Sequence, residues 1–139
     1  MLRRDLPPQR KKAIKRVLLS RRHKATGPTS DVVESLRARS GGLCEMQLHG
    51  CLGRATDVCH RIKRGMGGRK GAAREQNNRL ANVVHGCREC HAWTHARPQE
   101  SYEMGLMLRE GQDPEGEPVI RRCEWVYLYD DGTWTEALG

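Results

Sequence analysis

Four cysteines fall into two pairs, Cys44-x6-Cys51 and Cys87-x2-Cys90. Two turns that each deliver two thiolates can close a tetrahedral structural zinc site. The x2 pair is the sharper signal. The x6 pair is looser, and His49 inside that loop is an alternative ligand. The competing reading is four buried thiols without an ion. Directly after Cys90 come His91 and His95, four residues apart, so on a helix both imidazoles leave from one face. A closed four-thiolate site has no room for them. Such a pair fits a polar helix face as well as a second ion. It gains weight only if another metal-capable side chain approaches, and "DVCHR" at residues 57–61 offers one in Cys59.

Short elements must carry these side chains. Asp31 with Glu34 three residues on resembles a capping box, and Val32, Val33 and Leu36 follow at helical spacing, so a helix is expected from there to about Arg39, stopping at Ser40-Gly41-Gly42. Residues 43–61 suggest two short strands joined around "LHGCLGRAT". Residues 62–79 are rich in Gly, Arg, Lys and Asn and read as a loop. "LANVVHGC" reads as an extended piece and "RECHAWTHA" as a helix closed by Pro98, with Trp93 in the core. The tail alternates around Asp130-Asp131-Gly132 as a hairpin, with Trp125, Tyr127 and Tyr129 as its packing face and Cys123 a spare thiol.

Composition narrows the class. At 139 residues the chain holds one domain with tails. Only 37% of residues are hydrophobic and Phe is absent, a poor inventory for a core, which favours stabilisation by a metal or by disulfides. The N-terminus has no long apolar stretch or cleavage site of a secretory signal, and no run reaches membrane-spanning length. The expected location is therefore a reducing cytoplasm, where clustered cysteines read as metal ligands. The net charge is +8, and residues 1–24 hold ten Lys/Arg against Asp5 alone. That segment, helical over 9–23, is expected to act as an electrostatic arm on a phosphate backbone; a solvated tail is the plainer alternative.

In order, "C-x6-C…DVCHRIKRGMGG…LANVVHGCRECHAWTH" resembles the HNH endonucleases of the ββα-metal fold, and among them the small HNH proteins of tailed phages of actinobacteria. The resemblance covers roughly residues 29–98. It implies an α+β fold: a ββα-metal core with a structural four-cysteine zinc site (30–98), a basic N-terminal segment (1–29) and a C-terminal extension with a β-hairpin (99–139). It further implies that His60 is the general base toward water, work suited to a group titrating near neutrality. Asn82 would pin the loop and orient the base. His91 and His95 would hold a catalytic divalent cation, Mg2+, Mn2+, Ni2+ or Zn2+, against the scissile phosphate of double-stranded DNA. Arg61, Lys63, Arg64 and Arg69, following the base directly, are the expected phosphate contacts.

One position departs from the pattern. The residue before the base is usually Asp or His and is the third ligand; here it is Cys59, a soft donor, which either completes the site and shifts it toward zinc- or nickel-like ions or is inert and leaves two protein ligands. Asp57 shares its strand parity. The resemblance also implies work beside a phage terminase large subunit during DNA packaging. The rival readings are a non-catalytic zinc-stabilised DNA-binding protein and a terminase adaptor.

Overall fold

Thr29, not Asp31, starts the first helix: its hydroxyl accepts from the Val32 N–H at 3.5 Å, and α1 runs Ser30–Ser40. Asp31 sits in the first turn, where a carboxylate complements the helix dipole. The helix ends on Gly41 at φ 65°, a left-handed cap that glycine adopts without strain. The computed structural model describes residues 26–65 and 69–138, so the basic segment and its expected helix over 9–23 lie outside the described residues.

Of the two strands expected over residues 43–61, the second forms at residues 57–60, while residues 43–56 carry a single bridge, Leu43 to Arg54. The loop is shaped around its cysteines instead, with Gln47, Gly50 and Gly53 at positive φ. The first sheet is the antiparallel pair β1 (Asp57–His60) and β2 (Val83–Gly86), with Cys59 opposite Val84 and His60 opposite Val83. Between them the loop expected over 62–79 contains a short helix, α2 (Ala72–Asn77), and the extended piece expected after it begins as a 3-10 turn, Leu80–Asn82. Helix α3 (Arg88–Ala96) follows β2 at once, and Pro98, which closes it, also occupies the first turn of α4 (Pro98–Glu103).

A second, three-stranded antiparallel sheet comprises β3 (Val119–Arg121), β4 (Glu124–Leu128) and β5 (Trp134–Glu136). The expected hairpin is β4–β5; β3 joins β4 through Arg122 and Cys123, both at positive φ as a two-residue turn requires. The expected packing face is corrected. Val126 and Leu128 are buried, whereas Trp125 on the other strand parity is exposed. The aliphatic face meets the core because Val126 pairs with buried Val119. Trp93 is only half-buried, with Arg97 lying 5.6 Å from its ring.

The molecule is thus a mixed α+β fold with small sheets. One apolar cluster joins Cys44, Met46, Cys59, Val84, Cys87 and Cys90 to Leu106, Val119, Val126 and Leu128, so residues beyond 98 share the core of those before it. A smaller cluster seats Leu36 of α1 on Leu80 and Val83. Gly86 is where the layers touch: a Cβ there would come within 2.6 Å of Met46 Cε and 3.0 Å of Cys59 Sγ.

Ions reinforce this thin core. Fully buried Glu45 receives Arg39 through both carboxylate oxygens at 2.8 Å, Arg121 at 3.0 Å and the His85 N–H at 2.9 Å. Burial alone would raise the Glu45 carboxyl, yet Arg39, the His85 amide and Arg121 together hold it below the ordinary carboxylate range. This group ties α1, the cysteine loop, β2 and the C-terminal sheet together.

Candidate functional site

Two clusters of chemistry-bearing side chains meet along α3. The first is the cysteine quartet, whose sulfurs Cys44, Cys51, Cys87 and Cys90 all lie within 4.8 Å of one another. Cys51 Sγ and Cys87 Sγ are 3.9 Å apart, against about 3.8 Å for two thiolates at tetrahedral angles around zinc. His49 is exposed and outside this group. Cys87 is also the N-cap of α3, accepting from the Cys90 N–H at 3.3 Å; the Leu52 N–H reaches the same sulfur at 3.4 Å. Burial opposes ionisation of Cys87, but these N–H donors outweigh it and bring the thiol to about 7. The Cys87 N–H in turn donates to Cys44 Sγ at 3.3 Å. Amides aimed at sulfurs are the surroundings a thiolate-bound cation needs. The four cysteines therefore form a cluster that can hold a metal ion.

The second cluster lines a cleft of about 480 Å³, bordered by His60, Lys63, Arg64, His91 and His95 over an apolar floor that includes Met46, Leu106 and Met107. His60 is the last residue of β1, and α3 supplies both other histidines. Burial lowers the His60 pKa below 6.5, against a raising hydrogen bond from Asn78, with Arg64 and His91 adding to the fall. Burial thus favours the neutral ring. Nε2 meets Asn78 Oδ1 at 2.6 Å.

The other two rings face each other. His91 Nε2 and His95 Nε2 are 3.1 Å apart, within the roughly 3.0–3.4 Å expected of neighbouring imidazole ligands about 2.1 Å from one ion. His91 Nδ1 contacts Asp57 Oδ2 at 2.9 Å. That bond, more than Thr56, holds the Asp57 carboxyl below its ordinary value. A carboxylate on the far nitrogen of a ligating histidine fixes the ring and raises its basicity. Asp57 was expected at most as a ligand; it sits one bond behind the pair instead.

Asn82 pins the chain after His60. Its Oδ1 accepts from the Ile62 N–H at 2.9 Å and its Nδ2 donates to Asn77 O at 2.7 Å. Asn77 returns a bond to Ile62 O at 2.9 Å, so both backbone groups of Ile62 are held.

Three expectations are corrected. Cys59 does not complete a ligand set with His91 and His95: among the described residues, the cysteine quartet alone brings three or more His, Cys, Asp or Glu donors together. Its side chain is 6% exposed at the base of the cleft, and burial pushes the thiol up. Arg61 does not reach phosphate. It is fully buried and donates to the carbonyls of Gly105, Ala81, Pro114, Glu117 and Pro118 at 2.8–3.3 Å. Arg69 lies outside the cleft, with its guanidinium on Glu110 at 2.6 and 2.9 Å, a carboxylate where a phosphate was expected. Lys63 and Arg64 remain at the cleft, Arg64 bonded to Thr26 Oγ1 at 2.9 Å.

Among the described residues no helix is long and apolar enough to cross a membrane. Comparison of the chain with protein-family models, with curated proteins and with solved structures gave no match.

Proposed function

We propose that the protein is a metal-dependent endonuclease of the HNH class that hydrolyses phosphodiester bonds of double-stranded DNA. The observation that carries this reading is the shared cleft: a neutral, half-enclosed His60 on one wall and the His91–His95 nitrogen pair, braced by Asp57, on the other. The succession β1, β2, α3 supports a ββα-metal core, and the cysteine quartet suits zinc in a structural role.

In this reading His60 takes the proton of an attacking water as its oxygen bonds to phosphorus. The bond from phosphorus to the 3′ oxygen breaks, and that oxygen is protonated from solvent, giving 5′-phosphate and 3′-hydroxyl ends. A divalent cation on His91 and His95, when bound, supplies Lewis-acid stabilisation of the charge on the phosphoryl group and leaving oxygen. Asn82 holds the backbone after His60, and Lys63 and Arg64 at the rim meet the phosphate chain. With two protein ligands, water and phosphate oxygens would complete the coordination, which favours Mg2+ or Mn2+ more than a thiolate at Cys59 would.

The experiment is a plasmid-nicking assay across Mg2+, Mn2+, Ni2+ and Zn2+ with wild type, His60→Ala and His91→Ala. Cleavage by wild type that both variants lose, with folding and DNA binding retained, is the expected result. Equal inactivity of all three with intact DNA binding would favour a non-catalytic DNA-binding protein or an adaptor on a phage terminase large subunit.

A further inference from the structure

Beside His60 lies a buried polar side chain to which the nuclease reading gives no task. Asn78 is 5% exposed, stands at the C-terminal cap of α2, and touches the cleft only through His60. Its amide has two different partners. Nδ2 donates to the carbonyl of Thr26 at 3.0 Å, and Oδ1 faces His60 Nε2 at 2.6 Å. A carbonyl can only accept, so the Thr26 contact fixes which end of the amide is nitrogen. The oxygen must then face His60, and an amide oxygen can only accept as well. Nε2 therefore carries the proton.

A neutral imidazole has one N–H and one lone pair, so this assignment leaves the lone pair on Nδ1. Among the described residues Nδ1 makes no hydrogen bond. We propose that Asn78 is a positioning residue which, held by the Thr26 carbonyl, fixes His60 as the Nε2–H tautomer and leaves Nδ1 as the proton acceptor toward water. The inference rests on the nuclease reading for the word acceptor, but the tautomer can be observed without any activity.

The anchor of this relay is itself built. Arg74 donates through Nε and Nη2 to Gly27 O at 3.1 and 2.9 Å, and Arg64 Nη2 donates to Thr26 Oγ1 at 2.9 Å. Two arginines and one asparagine thus clamp Thr26 and Gly27, near the end of the N-terminal segment. The segment expected to track the phosphate backbone joins the fold where the orientation of the base is set. An orienting partner that keeps a catalytic imidazole in the right tautomer is worth far more than its hydrogen bond alone.

The test uses the full chain, metal-loaded, with 15N-labelled histidine. Long-range 1H–15N correlations at pH 8 report which nitrogen of His60 is protonated, assigned by loss of its signals in His60→Ala. Wild type is expected to show the Nε2–H pattern, with a downfield proton slow to exchange with solvent. Asn78→Ala should lose that slow proton. In the nicking assay Asn78→Ala is expected to lower kcat by about tenfold or more with little change in KM, as removal of an orienting group does. A wild-type spectrum with the proton on Nδ1, or an Asn78→Ala protein whose slow proton and kcat are unchanged, overturns the proposal. The wild-type spectrum alone decides the tautomer should Asn78→Ala not fold. An Asn78-dependent Nε2–H signal in a protein that cuts no DNA with any cation would sink the nuclease reading and leave the tautomer assignment standing.

Discussion

Replacing Arg61 with Ala separates two incompatible roles for one residue. If the guanidinium is a strut, its loss orphans carbonyls of Gly105, Ala81, Pro114, Glu117 and Pro118 and spares DNA contacts. Each buried polar group left unpaired costs about 1–3 kcal/mol. Part of that is recovered because a charge no longer has to be desolvated, a cost visible in burial drawing the Arg61 pKa down to about 10. A net loss of about 3–5 kcal/mol follows, a large share of the roughly 5–15 kcal/mol that holds a domain. With a urea slope of about 2 kcal/mol per molar, the midpoint should fall by about 2 M. Equilibrium unfolding of the metal-loaded protein, followed by tryptophan fluorescence, measures it. Arg61→Lys should also lose stability, since an ammonium has three donors where the structure uses five contacts. The reasoning is refuted if Arg61→Ala unfolds within about 0.3 M of wild type while its DNA affinity drops and the salt slope shrinks by about one phosphate contact.

Other outcomes follow from the same geometry. With a metal ion held by the quartet, its chelation, or Cys87→Ser, should unfold the domain, read as loss of far-UV ellipticity, because ion binding and folding are coupled when a core is this small. Asp57→Ala should weaken cation binding at His91 and His95 by about 10–100-fold in titration calorimetry while the quartet's metal stays bound; unchanged affinity would remove Asp57 from the site. Glu45→Gln should cost about 3–5 kcal/mol at pH 7, because Arg39 and Arg121 lose their charge partner. The Glu45 pKa is depressed in the folded state, so its contribution is complete above the unfolded value of about 4.5 and fades as pH falls through the lower folded value. The stability gap to Glu45→Gln should therefore narrow below about pH 4.5, and a gap constant from pH 7 to 4 would contradict the assignment.

What the sequence revealed depended on how local the signal was. The quartet and the helix histidines are spaced by turns of a few residues, so Cys87, Cys90, His91 and His95 could be sorted by geometry alone. Asn82 entered through resemblance, and its two backbone contacts agree with the pinning role that resemblance implied. Arg61 was misread because a basic residue beside a base looks like a phosphate contact, whereas its partners lie 20 to 57 positions away. Glu45 and Arg121, 76 positions apart, left no pattern either. The tryptophan face failed for a different reason: alternation identifies two faces of a strand but not which one meets the core, and Val126 and Leu128 won against larger neighbours. Asn78 was hidden in a stretch rich in polar residues, where nothing marks one amide as structural.

Cys90 and His91 are consecutive residues of one helix, the first buried in the quartet and the second turned to the cleft. Each residue of a helix advances by about 100° and 1.5 Å, so their adjacency acts as an angular gauge between the two clusters. An alanine inserted between them would leave Cys87-x2-Cys90 intact and swing His91 and His95 together by about 100° away from Asp57. Substitution can tune either cluster independently, but a change of length at this point can only uncouple them. Drift by insertion is closed to the chain here, even where every side chain is conserved.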